Sequence, residues 1–158
     1  MRRTSGRILT ALSVALVSAA TAGCRRPQPE SYAPGLGEIM TLQQMRHSKL
    51  WFAGQASNWD LAAYELKELQ EGFDDAVKFH PTHEDAPLPI SQLVPNMMDT
   101  PIKELQDIVA AKDRGRFFTG FDELTKACNG CHQAANFGVN VVARPSQNPY
   151  TNQVFQPQ

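Results

Sequence analysis

Five residues near the C-terminal end, Cys128-Asn129-Gly130-Cys131-His132, constrain this chain more than any other stretch. They read C-x-x-C-H, the pattern by which c-type haem is attached. The chemistry demands the spacing. Two thiols must reach the two vinyl groups of one porphyrin, and a histidine directly after the second thiol must turn its imidazole to the iron. On a helix, Cys128 and Cys131 stand at i and i+3 on one face, and His132, at i+4 from Cys128, points the same way. The expected holders of one covalent haem c are therefore Cys128 and Cys131 through thioethers, with His132 as proximal iron ligand. Two other chemistries use the same residue types. A structural zinc site needs four ligands, and the only other cysteine is Cys24, far upstream. A redox C-x-x-C belongs to a strand–helix context, and no strand pattern surrounds this one.

The 158 residues suggest one domain, and a hydrophobic fraction of 42% suffices for a core. Residues 1–23 read as an export signal. Arg2, Arg3 and Arg7 precede an apolar run from Ile8 to Ala20, and Thr21-Ala22-Gly23 supplies small residues. The run is short for a membrane span, which takes ~20 residues; a retained N-terminal anchor is the competing reading. Cys24, directly after Ala22-Gly23, resembles a bacterial lipobox, with Thr21 where leucine is usual. Lipidation there predicts a periplasmic, lipid-anchored protein and accounts for the lone third cysteine in an oxidising compartment. The alternative is a soluble exported form. Arg2-Arg3 is similar to a twin-arginine signal, but the following residues do not fit, and export before haem attachment suits an unfolded chain. Losing the three arginines takes the formal charge from −1 to −4. No basic face emerges, so nucleic acid is not an expected partner.

Residues 24–35, with Pro27, Pro29 and Pro34, read as a tether. Four helical segments are predicted between 36 and 137. The first, Leu36 to Gly54, carries Met40, Gln44, His47 and Trp51 on one face. The second starts at Ser57 or Asn58, both good N-caps, and carries Trp59, Ala62, Ala63, Leu66, Leu69, Phe73 and Val77. It ends near His80-Pro81. Thr82 to Pro89 reads as a polar loop, with His80 and His83 solvated, and a short turn around Leu93 is broken by Pro95. The third helix is expected to start with Thr100 as N-cap and Pro101 at the first position. In the fourth, Phe117, Phe121, Leu124, Cys128, Cys131 and Ala135 step by three and four residues, which puts the motif on a buried stripe. Residues 138–158 read as an extended tail. The sum is an all-α, antiparallel up-down-up-down four-helix bundle, a fold that places cofactors between facing helices.

C-x-x-C-H on the last of four helices resembles the cytochrome c′ superfamily. Ordinary small cytochromes c carry the motif near the N-terminus. The resemblance covers residues 36–137. The chain departs from it in lacking a basic residue in Gln133-Ala134-Ala135-Asn136-Phe137 and in its long tail. In low-spin members a methionine early in the first helix is the distal ligand; in high-spin members that side is open. The resemblance therefore implies Met40 as distal iron ligand, and it implies a homodimer, with no interface assignable here. Met45, His47 and an open site are the rivals for the sixth position. Trp51 and Phe121 are candidates for packing against the haem.

A filled sixth site favours electron transfer, and an open one favours small gases. The expected function is a monohaem c-type cytochrome carrying single electrons between redox partners, with a five-coordinate gas-binding protein as the alternative. Glu65, Glu68, Glu71, Asp74 and Asp75 cluster on the second helix, as a solvated face or as a surface that steers a basic redox partner. No nucleophile–base pair or carboxylate pair suggests an enzyme.

Overall fold

The computed structural model describes residues 32–158, so the expected signal, Cys24 and most of the tether lie outside it. Four helices account for most of what is described: α1 (Leu36–Gln55), α2 (Trp59–Phe79), α3 (Ile90–Ala110) and α4 (Arg114–Ala134). α1 packs along α2, α3 along α4, and α2 against α3, while α1 and α4 meet at few points. The result is the expected four-helix bundle. Among the described residues no helix is long and apolar enough to cross a membrane.

Two turns decide the up-down order, and both are built the same way. α1 ends on Ser57 in the left-handed region (φ 57°), and α3 ends on Lys112 (φ 55°). Ser57 N–H donates to the Gly54 carbonyl and Asn58 N–H to Ala53; Lys112 N–H donates to Val109 and Asp113 N–H to Ile108. This is a Schellman closure, which satisfies the last carbonyls of a helix. The residue after each left-handed one then caps the next helix. Asn58 Oδ1 accepts from Leu61 N–H at 3.2 Å, and Asp113 Oδ1 accepts from Arg116 N–H at 3.0 Å. One residue thus ends one helix and starts the next, and the chain reverses within three residues. α4 closes similarly, with Asn136 at φ 64°.

α3 corrects the sequence reading. It is one continuous helix that passes through Pro95 and Pro101 instead of starting at Thr100. Proline has no N–H, so the Ser91 and Met97 carbonyls lose their i+4 donors, and each interior proline costs about 3 kcal/mol. Burial outweighs this. Ile90, Leu93, Val94, Met98, Ile102, Leu105, Ile108 and Val109 are all buried on one stripe, at ~1.5–3 kcal/mol for each full burial.

The tail also departs from expectation. It has no regular secondary structure, yet it docks on the bundle. Phe155 is 5% exposed, with its ring 5.5 Å from that of Phe52. The Tyr150 hydroxyl donates to the Met45 carbonyl at 3.4 Å, and Asn58 Nδ2 donates to the Gln156 carbonyl at 3.4 Å. The histidines of the α2–α3 loop are not simply solvated either. His80 Nε2 lies 2.7 Å from the Pro34 carbonyl, and His83 stands edge-on to Phe137 at 5.1 Å.

Close helix approach depends on two glycines. A Cβ on Gly54 would lie 2.0 Å from Phe117 Cζ, and one on Gly72 would lie 2.3 Å from Gln43 Oε1. Helix propensity alone favours alanine over glycine by up to about 1 kcal/mol. For Gly54→Ala the structure reverses that sign: a loss of about 1–3 kcal/mol is expected from overpacking against a buried ring. Thermal unfolding of the variant measures it, and a raised midpoint would contradict this packing.

Candidate functional site

The α1/α4 seam carries the residues singled out above. His47 is 3% exposed, and its Nε2 lies 2.8 Å from Thr125 Oγ1 on α4. Thr125 gives its own proton to the Phe121 carbonyl at 2.9 Å. The hydroxyl therefore accepts from His47, which assigns the ring proton to Nε2. The His47 ring also lies 4.4 Å from that of Phe121. Burial pushes its pKa down to about 4, so the ring is neutral near pH 7. One turn further, Trp51 packs on Phe121 at 5.0 Å, Phe118 at 5.5 Å and Phe117 at 6.4 Å.

These contacts fix an antiparallel register. His47 faces Thr125, and Trp51, four residues on, faces Phe121, four residues back. Met40 lies one heptad before His47, and His132 one heptad after Thr125. Positions seven apart return to nearly the same helix face. Met40 and His132 therefore share one level of the seam, about 10 Å beyond the His47–Thr125 pair. Both are half-buried. His47, a rival ligand, shares the stripe but has its Nε2 engaged and its ring packed in the core. Met45 is half-buried beneath the tail, which bonds its carbonyl.

Cys128 and Cys131 are free and half-buried, one turn apart on the stripe of α4. Burial, with Cys131 adding to it, pushes the Cys128 thiol up to about 12, and burial also raises Cys131. Thiols held protonated are poor nucleophiles and poor redox thiolates. Among the described residues, no three His, Cys, Asp or Glu side chains gather as a metal cluster.

His132 Nδ1 lies 2.6 Å from the Asn140 carbonyl. A carbonyl only accepts, so Nδ1 carries the proton and Nε2 keeps its lone pair. That is the tautomer an iron-ligating imidazole needs. These residues fit the motif's cofactor. Two neutral thiols share a face, an imidazole presents Nε2, and Met40 lies at the same level of the neighbouring helix. Trp51 and Phe121 meet each other in the core below the motif, with Phe121 about 10 Å along the axis from Cys128. Two surface grooves, of about 450 and 360 Å³, lie elsewhere, between α2 and α3.

The acidic group on α2 is not one face. Glu65 is 3% exposed, and burial raises its pKa. Glu68 pairs with Arg46 of α1 at 3.1 Å. Glu71, Asp74 and Asp75 remain exposed. A helix brings i+3 and i+4 positions together but also turns some of them inward, so nearness in sequence overstated the patch.

Several residues at the site escaped sequence reasoning. Thr125, Asn140, Val142 and Arg144 match no motif, Asn129 fills an unspecified position of one, and their partners lie on other segments of the chain. Tyr150 and Phe155, the two aromatics of the tail, were the available signal that the tail docks.

The buried His47 makes acid stability a test. The unfolded imidazole takes its proton near pH 6.5, and the folded one only near about 4. Its contribution is full above pH 6.5 and is lost as pH falls through that window. At about 1.4 kcal/mol per pH unit, the loss reaches roughly 3 kcal/mol. Glu65 acts in the opposite sense, since its raised pKa costs stability as pH rises. His47→Gln keeps a donor for Thr125 and removes the titration. Its unfolding midpoint is expected to vary less than the parent's between pH 7 and 4, and parallel profiles would exclude His47 as the acid-labile group.

Compared with protein-family models, with curated proteins and with solved structures, the chain gives no match in any of the three.

Proposed function

We propose that this protein is an exported monohaem c-type cytochrome that carries single electrons between redox partners, with six-coordinate iron. The observation that supports this most is the register of the α1/α4 seam. It sets Met40 and His132 at one level on facing stripes, next to two neutral thiols one helical turn apart.

Each residue has a defined task. Cys128 and Cys131 would hold the haem through two thioethers, each the net addition of one S–H across one vinyl group. His132 offers Nε2 from the proximal side, and Met40 offers its thioether from the other. When bound, the haem supplies a one-electron iron couple whose potential methionine raises relative to a second histidine. Met40 is favoured over His47 because His47 Nε2 is already bonded to Thr125. With both His132 and Met40 available to hold the iron, the carrier would be favoured over the gas-binding alternative. The apolar wall of Trp51, Phe117 and Phe121 excludes water from beneath the site. Membership of the cytochrome c′ superfamily is proposed on the same grounds. Partners would be other one-electron carriers, met through surfaces that include the exposed Glu71, Asp74 and Asp75.

The absorption spectrum tests this directly. The expected protein is red, keeps its haem on a denaturing gel, and shows sharp low-spin bands in the reduced form with no carbon monoxide shift. Met40→Ala is expected to convert it to a high-spin form that binds carbon monoxide. A parent spectrum that is already high-spin would favour gas binding, and an unchanged Met40→Ala spectrum would assign the distal ligand elsewhere. For export, mass spectrometry of the mature chain is expected to find an N-terminal, lipid-modified Cys24. An unmodified Cys24 or cleavage at another residue would refute the lipid anchor.

A further inference from the structure

We propose that the segment after α4 is a positioning strap for the proximal histidine, and that Asn129 is its clamp. The proposal rests on the haem reading above. Asn129 is the first of the two unspecified residues within C-x-x-C-H, so the motif chemistry gives it no task.

The geometry supplies one. Asn129 Oδ1 accepts from Val142 N–H at 2.7 Å, and Asn129 Nδ2 donates to the Val142 carbonyl at 2.8 Å. One side-chain amide thus takes both main-chain polar groups of a single strap residue. Two bonds in opposite directions fix the rotation of that residue as well as its distance. Two residues earlier, the Asn140 carbonyl accepts from His132 Nδ1. The clamp and the histidine lie three residues apart on α4, so they present neighbouring positions to the same short length of strap.

Beyond the clamp, the strap is held to both sides of the seam. The Arg144 guanidinium pairs with Asp122 on α4 and lies 4.5 Å over the Trp51 ring on α1. Lys49 stands 5.3 Å over the Tyr150 ring, and Phe155 is buried against Phe52. The strap therefore bridges α1 and α4, whose backbones come close at few points.

The consequence for His132 is electronic as well as steric. A fixed N–H···O=C bond holds the ring in one tautomer and orientation and makes the coordinating nitrogen more basic. A more basic axial ligand favours the oxidised iron, so the clamped strap lowers the reduction potential. A water replacing the carbonyl would be free to turn away. Asn129 is thus a positioning residue, acting on the iron through Val142, Asn140 and His132.

The test uses the full-length, haem-loaded protein and three variants. Asn129→Ala removes both bonds. Asn129→Asp keeps the acceptor for Val142 N–H and loses the donor. Phe155→Ala loosens the far end of the strap as a purely structural control. Asn129→Ala is expected to raise the midpoint potential and to speed exchange of the Val142 amide about tenfold, with Asn129→Asp between it and the parent. Phe155→Ala is expected to lower the unfolding temperature and leave the potential unchanged. Should Asn129→Ala fail to load haem, Asn129→Asp carries the same comparison. Faster Val142 exchange at an unchanged potential would reduce the strap to a structural element and overturn the proposal. Unchanged exchange would overturn the clamp. A colourless parent protein would instead overturn the haem reading itself, an outcome distinct from both.

Discussion

The hydrogen bond between His47 and Thr125 is the polar contact that sets how α1 lies against α4. Apolar side chains alone tolerate sliding, because one buried aliphatic surface resembles another. A buried donor and acceptor do not. Moving α1 by one turn would leave the buried His47 N–H without its acceptor, at about 1–3 kcal/mol for such an orphan. The Phe121 carbonyl is tied to the same hydroxyl, so the pair is bound into α4 as well as across the seam. Everything proposed about the iron depends on this register, since it is what puts Met40 and His132 at one level.

Across this seam the two backbones come close at few points, and the buried rings of His47, Trp51, Phe117 and Phe121 lie between them. α1–α2 and α3–α4 are hairpins with three-residue turns, and such turns force close neighbours. No connection joins α1 to α4 except the tail, and the two meet sparsely. The tail has a physical reason to fold back here. It covers the seam from outside, buries Phe155, and brings a carbonyl to the exposed side of His132. The α2–α3 loop closes the same end, where Asn136 Nδ2 donates to the Asp85 carbonyl at 2.9 Å.

Helix positions were legible because their signals are local. The stripe of Trp59, Leu66, Leu69 and Phe73 has the helical period, and Asn58 is a cap by side-chain chemistry. Pro95 and Pro101 misled for the same reason. Each is a helix breaker over a few residues, but its cost is outweighed by eight buried side chains whose partners lie on other helices. The acidic run on α2 failed similarly, because Glu65 and Glu68 look alike in sequence while one is buried and the other reaches Arg46.

By itself, the sequence determined the motif and the helices that carry it. Two thiols and an imidazole at this spacing, late in four amphipathic helices, are the residues on which the proposed haem reading rests, and the helical period puts them on α4. That information is local, since it lies in five consecutive residues and one periodicity. The tertiary structure decided what surrounds it. It drew His47 into the core, where its Nε2 is bonded to Thr125, put Met40 and His132 at one level of the α1/α4 register, and folded the tail back so that Asn129 bonds both main-chain groups of Val142. These outcomes depend on pairings such as 47 with 125 and 129 with 142, which no local pattern encodes. They exist only once burial and hydrogen bonding have chosen a single register for the bundle.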